Sequence, residues 1–88
     1  MEIDNETMEP EGWAQLCDDV LQALIDITPV DTGFCQSNWE MDVEDDRATF
    51  TNDTEYASYL DEGWSSQAPR GMTGPVLAAL PRMAARYR

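Results

Sequence analysis

Apolar residues recur at three- and four-residue intervals through the first third of the chain: Trp13, Leu16, Cys17, Val20, Leu21, Leu24 and Ile27. That spacing lays one apolar stripe along a helix, with Asp18, Asp19, Gln22 and Asp26 on its other side. Pro10 suits a first helical turn, where its missing N–H costs nothing. Glu9 and Glu11 favour the positive end of the helix dipole. Pro29 pushes Thr28 out of the helical region, so the pattern predicts a helix over 10–27. Residues 1–9 are polar and acidic and read as a flexible lead-in, which leaves 10–88 as the single domain.

The period then changes from 3.6 to two. Pro29-Val30-Asp31-Thr32-Gly33 reads as a turn, with Gly33 free to adopt a conformation other residues resist. In the stretch from Phe34 to Glu44, Trp39, Met41 and Val43 alternate with Glu40, Asp42 and Glu44, as on a half-buried strand. Asp45-Asp46 makes a turn. Arg47 to Asn52 reads as a second strand, with Ala48 and Phe50 on one side and Thr49 and Thr51 on the other. The two form an antiparallel hairpin. Tyr56, Tyr59 and Leu60 fit a short helix closed by Gly63, and a loop follows from Trp64 to Gly71. Thr73 is expected to cap a last helix with Pro75 in its first turn. Val76, Leu77, Leu80, Ala84 and Tyr87 form its stripe, and Pro81 is expected to interrupt and kink it. The class is α+β: an N-terminal helix, an antiparallel hairpin or small sheet, a short helix and a C-terminal helix.

Charge sharpens this picture. The chain has 88 residues and a formal net charge of −13, from 18 acids and five basic residues, all Arg, with no His. A domain of this size buries only roughly 60–65% of its unfolded surface, so contacts with other subunits would add useful stability. Residues 1–46 carry 14 acids and no basic residue, whereas residues 70–88 carry Arg70, Arg82, Arg86 and Arg88 and no acid. Two readings follow: a solvated acidic surface, or two faces of opposite sign that meet across copies or partners. Arg82 and Arg86 lie four apart near a helix C-terminus, where positive charge is favoured. Binding of free nucleic acid is disfavoured, because it needs clustered positive charge.

Little in the chain points to chemistry. The pairs Asp18-Asp19, Asp45-Asp46 and Asp61-Glu62 are expected by chance in so acidic a sequence, and a catalytic acid needs a pocket that raises its pKa. Ser37 has no His to activate it. The acids of 42–46 lack the spacing and glycine of a calcium-binding loop. No catalytic residue, cofactor or metal is therefore expected. Cys17 and Cys35 are too few for a disulfide framework and read as buried reduced thiols. No secretory leader is recognised. The run Val76-Leu77-Ala78-Ala79-Leu80 is far too short to span a membrane, so no membrane partner is expected. Tyr56, Tyr59 and Trp64 cluster around one turn, where aromatic residues serve either as core or as interface anchors.

Three segments, in order, resemble phage minor tail or tail-completion proteins of the head–tail neck. Thr28-Pro29-Val30-Asp31-Thr32-Gly33, followed by Ser37-Asn38-Trp39, is similar to their TPVDTG…S-W segment. Asn52 with Tyr56-Ala57-Ser58-Tyr59-Leu60-Asp61-Glu62-Gly63 is similar to their N…YA.YLE.G segment. Pro69, Gly71-Met72 and Pro75 are similar to their approach to the last helix. The chain departs from the pattern in its shorter first helix, in Phe34-Cys35-Gln36 where a basic residue is usual, and in Pro81.

The resemblance implies a tail-terminator-like fold and a structural virion protein, not an enzyme. It implies a homo-oligomeric ring, often a hexamer, made in the host cytoplasm and ending in the virion neck or tail. Partners would be the head–tail connector, the tail terminator or the tail tube, with genome DNA passing a repellent acidic channel without specific binding. Interface candidates are Asp31, Thr32, Gly33, Tyr56, Tyr59, Glu62, Trp64, Arg70, Arg82 and Arg86. The rival reading from charge alone is an acidic DNA mimic that inhibits a host DNA-binding enzyme.

Overall fold

In the computed structural model of the chain, the structure describes residues 1–28, 38–52 and 70–87. These residues form strand β1 (Glu2–Asp4), helix α1 (Pro10–Ile27), strands β2 (Trp39–Val43) and β3 (Arg47–Asn52), and helix α2 (Thr73–Ala84), which tightens into a 3-10 turn (Ala85–Tyr87). The class is α+β, with helices and a small antiparallel sheet in the order β1-β3-β2.

Helix α1 runs between the two prolines, as the sequence predicts. Pro10 opens it, and Thr28 leaves it with φ −70° and ψ 129°, the extended backbone that a following proline demands. Its stripe of Trp13, Leu16, Cys17, Val20 and Leu24 is buried. The hairpin pairs Met41 with Phe50 and Val43 with Ala48. Phe50 and Ala48 are buried against the helices, while Trp39 and Met41 are half-buried.

The first residues are not a flexible lead-in. Glu2, Ile3 and Asp4 pair with Thr49, Ala48 and Arg47, and Ile3 is only 4% exposed in the core. The Asn5 side chain then locks the segment to the hairpin turn. Its Nδ2 donates to the Asp45 carbonyl at 3.0 Å, and its Oδ1 accepts from the Met8 N–H at 2.8 Å. Among the described residues the sheet therefore has three strands, with β3 in the middle.

Two expectations about the last helix are corrected. Thr73 is its first residue, and the cap position belongs to Met72, a side chain with no oxygen to offer. Met72 is there to fill space: it is 1% exposed and packs beside Ile27 and Trp39. Gly71, at φ 82°, turns the chain into this buried position, a conformation that a side chain would strain. Pro81 does not interrupt the helix, which continues to Ala84. Both Pro81 and Leu77 are exposed, so water can meet the Leu77 carbonyl that loses its N–H partner. Along the predicted stripe Val76 and Ala84 are buried, but Leu77 is 43% exposed.

Side-chain hydrogen bonds tie the elements together. The Trp13 Nε1 donates to the Glu44 carbonyl at 2.7 Å, joining α1 to the end of β2. The Trp39 Nε1 donates to the Thr28 hydroxyl at 2.8 Å, and that hydroxyl donates to the Leu24 carbonyl at 2.7 Å. The Tyr87 hydroxyl donates to the Asp19 carboxylate and holds the chain's last turn against α1.

Candidate functional site

Strand alternation divides the sheet into two unlike faces. Ile3, Ala48 and Phe50 point into the core. The opposite face carries Glu2 and Asp4 on β1, Arg47, Thr49 and Thr51 on β3, and Glu40 and Asp42 on β2. Register sets these residues in rows. Glu2, Thr49 and Asp42 stand abreast, with Asp4 beside Arg47 at one end and Glu40 beside Thr51 at the other. Carboxylates therefore line both outer strands, and short threonines occupy most of the centre.

Glu2, Asp4, Glu40 and Asp42 are all exposed. Arg47 reaches Glu44 at 3.8 Å, an exposed pair at one end of the face that contributes little to stability. Beyond it, Glu40, Met41, Asp42, Thr49 and Thr51 line a shallow depression of about 270 Å³. The sequence reading anticipated the acids of β2. It missed Glu2 and Asp4, although the alternation Glu2-Ile3-Asp4 is the signal that a short strand leaves.

A second face lies on the far side of the helix layer. The exposed side of α2 presents Gly74, Leu77, Ala78 and Pro81, with Ala85 continuing the line and Arg82 and Arg86 along one border. α2 and the turn after it contribute no acid to this surface, although Asp4 and Glu6 share a cleft with Pro81 at its edge. Arg70 is also exposed, in the turn before α2. Of the predicted interface residues, the structure thus puts Arg82 and Arg86 one turn apart on one surface. Asp31, Thr32, Gly33, Tyr56, Tyr59, Glu62 and Trp64 lie outside the described residues, as do Cys35 and the predicted short helix.

Among the described residues, the other concavities bring together no catalytic set. A cleft of about 310 Å³ runs between the N-terminal segment and α2, lined in part by Ile3, Met8, Trp13, Leu80 and Pro81. Asn5 also lines it, but its side chain is committed to the Met8 and Asp45 backbone. Among the described residues, no three His, Cys, Asp or Glu side chains converge on a position that could hold a metal. Cys17 is fully buried, and burial, helped by neighbouring Asp18, pushes its thiol up to about 11, opposite to what a nucleophilic cysteine needs. Tyr87 is also raised, chiefly by its hydrogen bond to Asp19. Among the described residues, no helix is long and apolar enough to cross a membrane.

The arrangement can recognise by charge and shape: one face is rich in carboxylates, and the other is apolar with an arginine border. Comparison with family models, curated proteins and solved structures finds no match to this chain.

Proposed function

We propose that this chain is a structural subunit of a phage neck, one that joins or completes the tail at the head–tail interface as part of a ring. The observation that carries this reading is the ordered set of motifs around Gly33, Gly63 and Pro75. The small α+β domain agrees with it, and so does the opposite character of the two outer faces. A closed ring needs each subunit to use two different surfaces, one toward each neighbour. The role is structural rather than catalytic. The protein assembles in the host cytoplasm and remains in the virion. Its partners are further copies of itself and the neighbouring neck proteins, and its acidic surface repels passing DNA.

The carboxylate rows of the sheet are the specific support for the alternative, an acidic DNA mimic that inhibits a DNA-binding enzyme. Deleting the coding sequence from the phage that carries it separates the two. A neck subunit's loss leaves filled heads and free tails in electron micrographs, and the protein is found in purified virions by mass spectrometry. Complete, infectious particles without it overturn the neck reading.

A further inference from the structure

We propose that the exposed side of α2 in one copy docks on the carboxylate-bearing side of the sheet in the next. This deepens the ring reading and rests on it for closure of the chain of contacts, though the contact itself can be measured alone.

Within one molecule the arginines of α2 and the turn after it lie on the opposite side of the core from the carboxylates of β2. The sheet turns Ile3, Ala48 and Phe50 inward, into the same core as Val76 and Ala84 of α2. Glu40 and Asp42 therefore point away from the helix layer; at the other edge Asp4 shares a cleft with Pro81 of α2. Contacts between such opposed surfaces are head-to-tail, so each copy keeps one of each kind free for the next neighbour.

Their dimensions match. Strands β1 and β2 flank β3 from Arg47 to Thr49, so Glu2 and Asp42 stand roughly 9–10 Å apart across Thr49, two strand spacings. An α-helix is roughly 10–12 Å across with its side chains. A helix laid along β3 rests over Thr49 and Thr51, at the depression they share with Glu40 and Asp42. The small side chains of Ala78, Pro81 and Ala85 allow close approach there. Arg82 and Arg86 are four residues apart, a rise of about 6 Å. Glu40 and Asp42 are two residues apart on a strand, about 6.7 Å. Both arginines can therefore face both carboxylates at once. The Arg47–Glu44 pair occupies the other end of the surface, beside Asp4, and Glu40 and Asp42 are the two exposed carboxylates whose spacing matches the arginines. Leu77, 43% exposed on α2, gains cover in the same contact.

Sedimentation velocity of the full chain over a range of concentrations tests this, with circular dichroism confirming that each variant is folded. The wild type self-associates at low salt and does so less at high salt, where screening shortens to a few ångströms. Arg82→Glu with Arg86→Glu weakens association by about tenfold or more, and so does Glu40→Arg with Asp42→Arg, because each sets like charges together. An equimolar mixture of the two variants associates again, as does the chain carrying all four changes. A wild type that stays monomeric at every concentration overturns the contact, as does association indifferent to either reversal or unrestored by the four-residue exchange. Those outcomes leave the neck reading standing, through docking on other neck proteins. Restored association in a phage that assembles normally without the protein supports the contact and sinks the neck reading.

Discussion

Replacing Thr28 with Val tests the polar junction where α1, β2 and the start of α2 meet. The change keeps shape and removes one oxygen. Thr28 is 1% exposed; its hydroxyl donates to the Leu24 carbonyl at 2.7 Å, accepts from the Trp39 indole at 2.8 Å, and touches the Met72 sulfur at 3.3 Å. The Leu24 carbonyl keeps a partner in the Thr28 backbone N–H at 3.2 Å, so little is lost there. The indole N–H loses the acceptor seen in the structure, and a donor left unmatched away from water costs about 1–3 kcal/mol. Trp39 is only half-buried, which allows water some access and holds the expectation near 2 kcal/mol. Small domains have roughly 0.05–0.15 kcal/mol of stability per residue, so this loss is a large part of the whole. It corresponds to a fall in Tm of about 8–16 °C. Urea unfolding followed by far-UV circular dichroism gives the number, and a cycle with Trp39→Phe isolates the bond. Once the indole N–H is gone, Thr28→Val should cost about 1 kcal/mol less. Additivity of the two changes within about 0.3 kcal/mol would refute the reasoning.

Further outcomes test the rest of the fold. Ile3→Asp should cost about 3 kcal/mol or more in urea unfolding, because it loses a buried side chain and leaves a charge in its place; a cost below about 0.5 kcal/mol would return the N-terminal residues to a frayed tail. Gly74→Ala should leave stability within about 0.5 kcal/mol of the wild type: nothing beyond its chain neighbours lies within 4 Å of the added Cβ, but before Pro75 in the first turn that Cβ crowds the proline ring and offsets the helix-propensity gain. Gly12→Ala should destabilise, because its Cβ would meet the Tyr87 Cβ at 3.1 Å and the Tyr87 carbonyl at 3.2 Å; a raised Tm for Gly12→Ala in thermal melts would contradict the packing of the last turn on α1. Cys17 should resist alkylation at pH 8.5 until urea unfolds the chain, with mass spectrometry mapping the adduct. Its folded value of about 11 lies above the ordinary 9.0, so its contribution is intact below about pH 9 and is lost as pH rises toward 11. Tyr87, also raised, adds to that alkaline loss, and a stability curve flat from pH 9 to 11 would count against both.

The sequence by itself determined the elements whose signals are local and repeated. Helix α1 shows five buried stripe positions between two prolines, and its limits at Pro10 and Ile27 follow from backbone sterics alone. The hairpin shows in the alternation of Trp39 to Val43, the acidic turn, and the Ala48–Phe50 side of β3. Local patterning also identified Arg82 and Arg86 as one surface. Tertiary structure decided what depends on distant partners. A strand of three residues is too short to announce itself, and Glu2–Asp4 becomes one because β3 has a free edge and the core takes Ile3. Thr73 has the chemistry of a cap, but the space beside Ile27 and Trp39 puts Met72 in that position. Pro81 stays inside a helix because its side of α2 is exposed, where water can take the place of the missing bond. The acidity, plain from composition, became a surface only when pairing set Glu2 opposite Asp42 across Thr49, with Asp4 beside Arg47 and Glu40 beside Thr51 on the same side of the sheet. Periodicity records which way a side chain faces along one element, whereas register between elements far apart in the chain is set by the packing that joins them.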